Sequence, residues 1–328
     1  MNLHRPDVLQ SVAHELGRAG HHARAVFSRI TQRSNSNFKF AFLFLPAHAR
    51  AALGDVYHFC READDIVDER VPGIAGVEQA NLQLDEWMRD IATIFESGPD
   101  ETDEKLSHNP LAARIAEHRR HFNLPREAFE EVLTGCRMDL ELARYPDWPT
   151  LELYCYRVAS CVGFLCLPIF GDDSDAARVY GRHLGLALQY TNILRDVAED
   201  AARDRIYLPL SLLQKHGLSD DDILRNCYDA RFIAAAAEFA AAAKREYDAA
   251  QAVLQNMDDR TALLPAQIMG QTYHAILEEL IALQYNVHAR RPSLRRRDKV
   301  RAAARALASV RLPASLVQTI DQWLGERR

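Results

Sequence analysis

Four aspartates stand in two pairs with the same spacing: Asp64 with Asp68, and Asp196 with Asp200. The first pair lies in Arg61-Glu62-Ala63-Asp64-Asp65-Ile66-Val67-Asp68-Glu69, the second in Asn192-Ile193-Leu194-Arg195-Asp196-Val197-Ala198-Glu199-Asp200. On a helix, side chains four positions apart share one face at about 5–6 Å, and like charges there cost a few tenths of a kcal/mol. A cation between them removes that cost. Mg²⁺ takes oxygen ligands and commonly binds through one or two carboxylates with substrate phosphates and water. The pattern therefore points to two acidic helix faces opposing a diphosphate across Mg²⁺ ions. The competing reading is a pair of solvated helix faces, and either motif alone would leave both open.

Other polar residues keep company with these pairs. Arg61 precedes Asp64 by one helical turn and reaches the same phosphate. Arg195 neighbours Asp196. Gln189 and Asn192 interrupt an otherwise apolar helix face, and inward amides are costly unless paired, which favours a wet cavity over dry core.

The elements that must carry these residues are helices. Gly (14) and Pro (13) are few for 328 residues, and apolar residues recur at helical spacing. The expected order is a helix near 8–31, then the apolar stretch Phe38 to Leu45 closed by Pro46. Residues 47–70 form one long helix with the first acidic motif near its C-terminal end. Helices follow near 76–96, 104–121 and 125–143. Thr150 caps a helix running to about 170, and a helix from about 175 to 201 carries the second acidic motif. Short helices begin at Leu208-Pro209 and at 219, long ones span about 230–257 and 260–290, and two terminal helices complete the chain. No Ser/Gly-rich linker divides it and no fixed-period repeat appears. The fold class is all-α, a single bundle, and bundle interiors are where facing helices build metal and ligand sites.

Bulk properties exclude several classes. Hydrophobic content of 48%, charged content of 26% and a net charge of −6 describe an ordinary globular chain with no reason to bind nucleic acid. Six cysteines without a secretory signal suit a reducing cytosol, and Cys155, Cys161 and Cys166 read as small core residues. No apolar run reaches the ~18–20 residues of a membrane span. The basic segment from Arg290 to Lys299 reads as a solvated charge run, with contact to anionic lipid as the other reading.

Three stretches together resemble the squalene/phytoene synthases. Tyr57-His58-Phe59-Cys60 leading into Arg61–Glu69 is similar to their first aspartate-rich motif. Tyr154-Cys155-Tyr156-Arg157-Val158-Ala159-Ser160-Cys161-Val162-Gly163 resembles their central signature, and Gln189 through Pro209 the second aspartate-rich one. The resemblance runs from about residue 34 to 290. It implies a single-domain isoprenoid synthase bundle, residues 1–328, with a central cavity, and head-to-head joining of two prenyl diphosphates. Within the family the chain looks most like bacterial squalene and presqualene diphosphate synthases, which use farnesyl diphosphate. Asn37-Phe38, Ala41-Phe42 and Leu45-Pro46 point to that branch.

The resemblance also implies roles. Asp64, Asp68, Asp196 and Asp200 hold Mg²⁺, supported by Asp65 and Glu199. Tyr57, Arg61, Gln189, Asn192, Arg195, Arg205, Tyr207, Tyr273 and Arg290 attend the substrate, and Phe42 walls the prenyl cavity. Tyr154 matches the tyrosine that assists proton loss, its competing reading being a core tyrosine with a satisfied hydroxyl. The small residues Val158 to Gly163 leave room for a prenyl chain or allow close helix packing. NADPH is needed only if the reaction continues to squalene. A cytoplasmic enzyme of isoprenoid (hopanoid-type) synthesis is expected, with peripheral membrane contact and downstream isoprenoid enzymes as partners left open beside it.

The same signatures leave a phytoene synthase acting on geranylgeranyl diphosphate as the alternative. A non-catalytic helical partner protein with the same fold is a third reading, which loss of the aspartates would favour. This chain keeps them all.

Overall fold

The computed structural model describes residues 45–96, 98, 105–106, 108–287 and 305–306. The first helix, Phe42, Arg290, the basic segment and the terminal helices of the sequence reading lie outside these residues.

Helix α1 (Ala47–Asp68) starts directly after Pro46 and buries Ala49, Ala52, Val56, Phe59, Ala63 and Val67 at three- and four-residue steps. That stripe faces α2 (Ile74–Glu96) and α4 (Arg126–Glu141), where the Phe59 ring meets Trp87 and Phe129 edge-on at 5.0 and 5.1 Å. Between them, α3 (Pro110–Arg119) is shorter than the 104–121 expected. Asn109 sets its start by accepting from the backbone N–H groups of Leu111 and Ala112, with Pro110 at the position where a missing N–H costs nothing.

A continuous helical run follows: α5 (Trp148–Cys155), a π turn (Tyr156–Ser160) and α6 (Cys161–Phe170). Asp147, not Thr150, caps it, because the Asp147 carboxylate accepts from both the backbone N–H and the hydroxyl of Thr150. Gly171 closes it in the left-handed region at φ 97°. The run spans 23 residues at mean hydropathy 1.6, long and apolar enough to cross a membrane, which corrects the expectation of none. It packs against α4 and against α7 (Asp175–Ala202), so its apolarity has a use inside the bundle. Cys155, Cys161 and Cys166 are buried and unbonded.

Helix α7 runs through the centre, capped by Ser174 and packed along α10 (Ala230–Gln255) and α11 (Leu264–Ala282). Its Gly185 lies so close to the π turn that a Cβ there would sit 2.5 Å from the Ser160 Cα. Short helices α8 (Leu210–Lys215) and α9 (Asp220–Leu224) connect α7 to α10. The helix expected over 260–290 ends at Ala282, where Gln284 and Tyr285 turn left-handed at φ 50° and 62°. The described residues contain no strand, only an isolated bridge between Arg144 and Ile206. The all-α expectation holds.

Candidate active site

Helices α1 and α7 deliver their acidic motifs on their last turns, and the chain leaving α7 joins them. Arg203 Nη1 donates to Asp68 Oδ2 at 2.9 Å, and Arg205 Nη1 to Asp68 Oδ1 at 2.6 Å. Arg205 also lies 3.9 Å from Asp139 on α4 and 3.5 Å from the Tyr207 hydroxyl. One guanidinium thus stands between the first acidic motif and the residues behind the second.

Each motif carries its own arginine. Arg61 pairs with Asp64 at 3.1 Å and with Asp65, all three substantially exposed. Arg195 grips Asp196 with two parallel hydrogen bonds of 2.8 and 2.5 Å, and Tyr273 on α11 is brought beside it. Such forked pairs fix direction as well as charge. Glu199 points to the exposed side of α7.

The carboxylates crowd one another. Burial, then the neighbouring charge of Asp68, pushes Asp64 up to about 6. Burial and Asp196 push Asp200 up to about 7. Both shifts mark negative charge held where it repels, the situation that a bound cation relieves. Asp64 keeps half of its side chain exposed, so water screens part of its effect.

Asn192 adds a further sign. Its amide nitrogen donates to Gln189 Oε1 at 3.4 Å, while its buried Oδ1 has no partner. A buried unsatisfied acceptor costs about 1–3 kcal/mol, and this one sits one helical turn before Asp196. Among the described residues no three carboxylate, imidazole or thiol side chains converge on a single point. The carboxylate oxygens of the two motifs and the Asn192 Oδ1 are donors of the kind Mg²⁺ takes, with phosphate and water completing its shell.

Tyr154 and Tyr207 do not stand alone. Their hydroxyls donate to the same oxygen, Asp139 Oδ2, at 2.8 and 3.0 Å, and the Tyr145 hydroxyl donates to Oδ1 at 3.0 Å. The three rings meet pairwise at 5.1–5.4 Å. Burial raises Asp139 above the usual carboxylate range, against the pull of Arg205 and the three hydroxyls. Sequence reasoning missed Asp139, Tyr145 and Arg203. The available signal was a lone carboxylate, Asp139, in the register of the buried stripe Val132, Cys136 and Met138.

Tyr57 lies on α1, two turns before Asp64. A cavity of about 590 Å³ opens elsewhere, lined by Ile94, Phe95, Arg119, Phe122, Arg126 and Arg178 among others, and includes none of the expected site residues. A cavity of about 10 Å³ lies beneath Asp200, Arg205 and Tyr207.

Residues 31–298 match the family model described as squalene/phytoene synthase. A presqualene diphosphate synthase of Rhodopseudomonas palustris is 39% identical over 248 residues, covering 75% of this chain and 84% of that protein. A phytoene synthase of Mycobacterium bovis is 34% identical over 290 residues, covering 88% and 91%. Among solved structures, a squalene synthase from Alicyclobacillus acidocaldarius superimposes with a TM-score of 0.63 at 28% identity, covering 80% of this chain and 94% of that one. A dehydrosqualene synthase in complex with a ligand shares the fold, with a TM-score of 0.70 at 24% identity over 89% and 98%.

Proposed function

The chain belongs to the squalene/phytoene synthase family and is a prenyltransferase-type enzyme; from that premise we propose that it joins two farnesyl diphosphates head to head into presqualene diphosphate. The observation that carries the reading is Arg205, whose backbone N–H bonds the Asp200 carbonyl, reaching Asp68 of the first motif with its side chain. The 39% identity to a presqualene diphosphate synthase supports the choice of substrate.

The reaction starts when the allylic C–O bond breaks and diphosphate departs with the electron pair. When bound, Mg²⁺ neutralises that growing charge as a Lewis acid. Asp64, Asp68, Asp196 and Asp200 would hold the ions, with Asp65 and Glu199 at the margin and the Asn192 Oδ1 as a further oxygen. Arg61, Arg195 and Arg205 supply fixed positive charge where diphosphate oxygens lie, at no reorganisation cost during the reaction. Tyr207 and Tyr273 keep two of these arginines in place. The double bond of the second substrate then attacks the cation. A proton leaves carbon as the cyclopropane closes; the departed diphosphate takes it, and Tyr154 steers it.

The second reading is a phytoene synthase acting on geranylgeranyl diphosphate, which the M. bovis relative supports. Purified protein incubated with Mg²⁺ and each diphosphate, with and without NADPH, separates them by mass spectrometry of the products. Presqualene diphosphate in both farnesyl tubes is expected. Squalene only with NADPH would extend the reaction by a reductive step. Phytoene from the longer substrate alone would move the assignment, and no product from either would overturn it.

A further inference from the structure

Asp139 belongs to no acidic motif, yet its carboxylate accepts hydrogen bonds from three phenols. Tyr154 and Tyr207 donate to its Oδ2 and Tyr145 to its Oδ1, with all three donor distances at 2.8–3.0 Å. Its side chain is 8% exposed. The buried carboxylate costs solvation that only good geometry offsets. A hydrophobic residue would pack there more simply, with phenols turned elsewhere. Nothing in the α4 backbone calls for a carboxylate at this position.

A tyrosine hydroxyl has one proton to donate and lone pairs with which to accept. Tyr154 and Tyr207 lie within hydrogen-bond reach of each other, and each directs its single proton to Asp139 Oδ2. What either hydroxyl can offer to a third group is therefore a lone pair. Arg205 already uses this at Tyr207, where its Nη1 approaches the phenolic oxygen at 3.5 Å. Tyr154, held in the same way, can accept from or face a positive partner and cannot donate to an anion.

We propose that Asp139 is a positioning residue that turns the Tyr154 and Tyr207 hydroxyls lone-pair-outward, so that Tyr154 meets the cationic, proton-losing stage of the reaction as an acceptor and Tyr207 helps to hold Arg205. The proposal rests on the proposed function for the part played by Tyr154. Asp139 itself touches neither substrate nor metal in this scheme. It acts through the phenols, and Tyr145 anchors its far oxygen.

Asp139→Asn tests this with nearly unchanged shape. An amide presents an NH₂ where one carboxylate oxygen stood, so it cannot accept from all three hydroxyls. With the substrate that wild-type enzyme turns over, kcat is expected to fall about 100-fold while KM stays within threefold and Tm within a few degrees. Full kcat in Asp139→Asn, or a kcat loss matched by an equal loss in Asp139→Ala with both variants melting early, would overturn the positioning role. A second measurement needs no substrate. Tyrosine labelled with ¹³C at Cζ reports phenol hydrogen bonding by NMR, and the resonances of Tyr145, Tyr154 and Tyr207 are expected to shift together in Asp139→Asn. Unmoved resonances would refute the hydrogen-bond set itself. If wild type makes no product yet the resonances shift, the functional reading has failed and the carboxylate's hold on the phenols stands.

Discussion

Arg205 Nη1 donates to Asp68 Oδ1 at 2.6 Å, joining residues 137 positions apart in the chain. The Arg205 side chain is 11% exposed, Asp68 is 23% exposed, and Asp139 lies behind at 3.9 Å. Removing the guanidinium leaves Asp68 to the exposed Arg203 and Asp139 to its three phenols. Arg205→Met is expected to destabilise by about 3 kcal/mol, the scale for breaking a largely buried pair, and to abolish turnover. Arg205→Lys keeps the charge but loses the rigid planar guanidinium that sets one nitrogen, Nη1, against Asp68, Asp139 and the Tyr207 hydroxyl, so it should restore part of the stability and little activity. Chemical denaturation and single-substrate kinetics read both; activity near wild type in Arg205→Lys would show that charge alone suffices.

Asp196→Ala removes the carboxylate that Arg195 grips with two bonds. Turnover is expected to drop by about 10²–10³-fold, the scale for losing one electrostatic contact in a transition state, with far-UV circular dichroism unchanged. Full activity would remove Asp196 from the metal-binding set.

The raised carboxylates set a pH dependence. Asp64 and Asp200 ionise at about 6 and about 7 in the folded protein, above the ordinary aspartate value in the unfolded chain. The native state therefore binds more protons than the unfolded state between roughly pH 4 and 7, and these groups make stability fall as pH rises through that window. In chelator-treated buffer, Tm is expected to decline between pH 5 and pH 8 on this account, Asp200 contributing more than the half-exposed Asp64. Added Mg²⁺ should recover the loss at pH 8 and have little effect at pH 5. Asp200→Asn should flatten the chelated profile; an unchanged profile would show that other groups govern it.

Two glycines on helices make a paired test. A Cβ at Gly185 would stand 2.5 and 2.6 Å from the Ser160 Cα and N, whereas at Gly54 nothing lies within 4 Å. Gly185→Ala must push α7 from the π turn and is expected to cost about 3 kcal/mol, the upper end of ordinary overpacking. Gly54→Ala restricts the unfolded chain without strain and should stabilise by about 0.4–1 kcal/mol. Thermal melts of the two variants should move in opposite directions.

Much of this molecule is legible in one dimension, and the limits have physical causes. The helical stripes, both acidic motifs and their arginines follow from spacing within single helices. Ends were misplaced where a side chain made the decision: Asp147 rather than Thr150 caps α5, and Asn109 delays α3. Asp139 escaped notice because its three partners come from other stretches of chain, six, fifteen and sixty-eight residues away. A carboxylate in an apolar stripe hints that such partners exist but does not say which. Arg203 was passed over because it is one of many arginines until the chain leaving α7 folds back on α1.

The π turn at Tyr156–Ser160 closes with the N–H of Cys161 bonded to the Tyr156 carbonyl, five residues back. It holds one residue more than an α-helical turn would. Each residue advances an α-helix by about 100°, so the turn works as a phase shift between two halves of one rod. Upstream, the rotation aims Tyr154 at Asp139; downstream, it seats Cys161, Leu165 and Cys166 in the core. Removing any one residue from the turn would let the rod run on as plain α-helix and spin one half against the other. The number of residues between Tyr154 and Leu165 is thus as constrained as their chemistry.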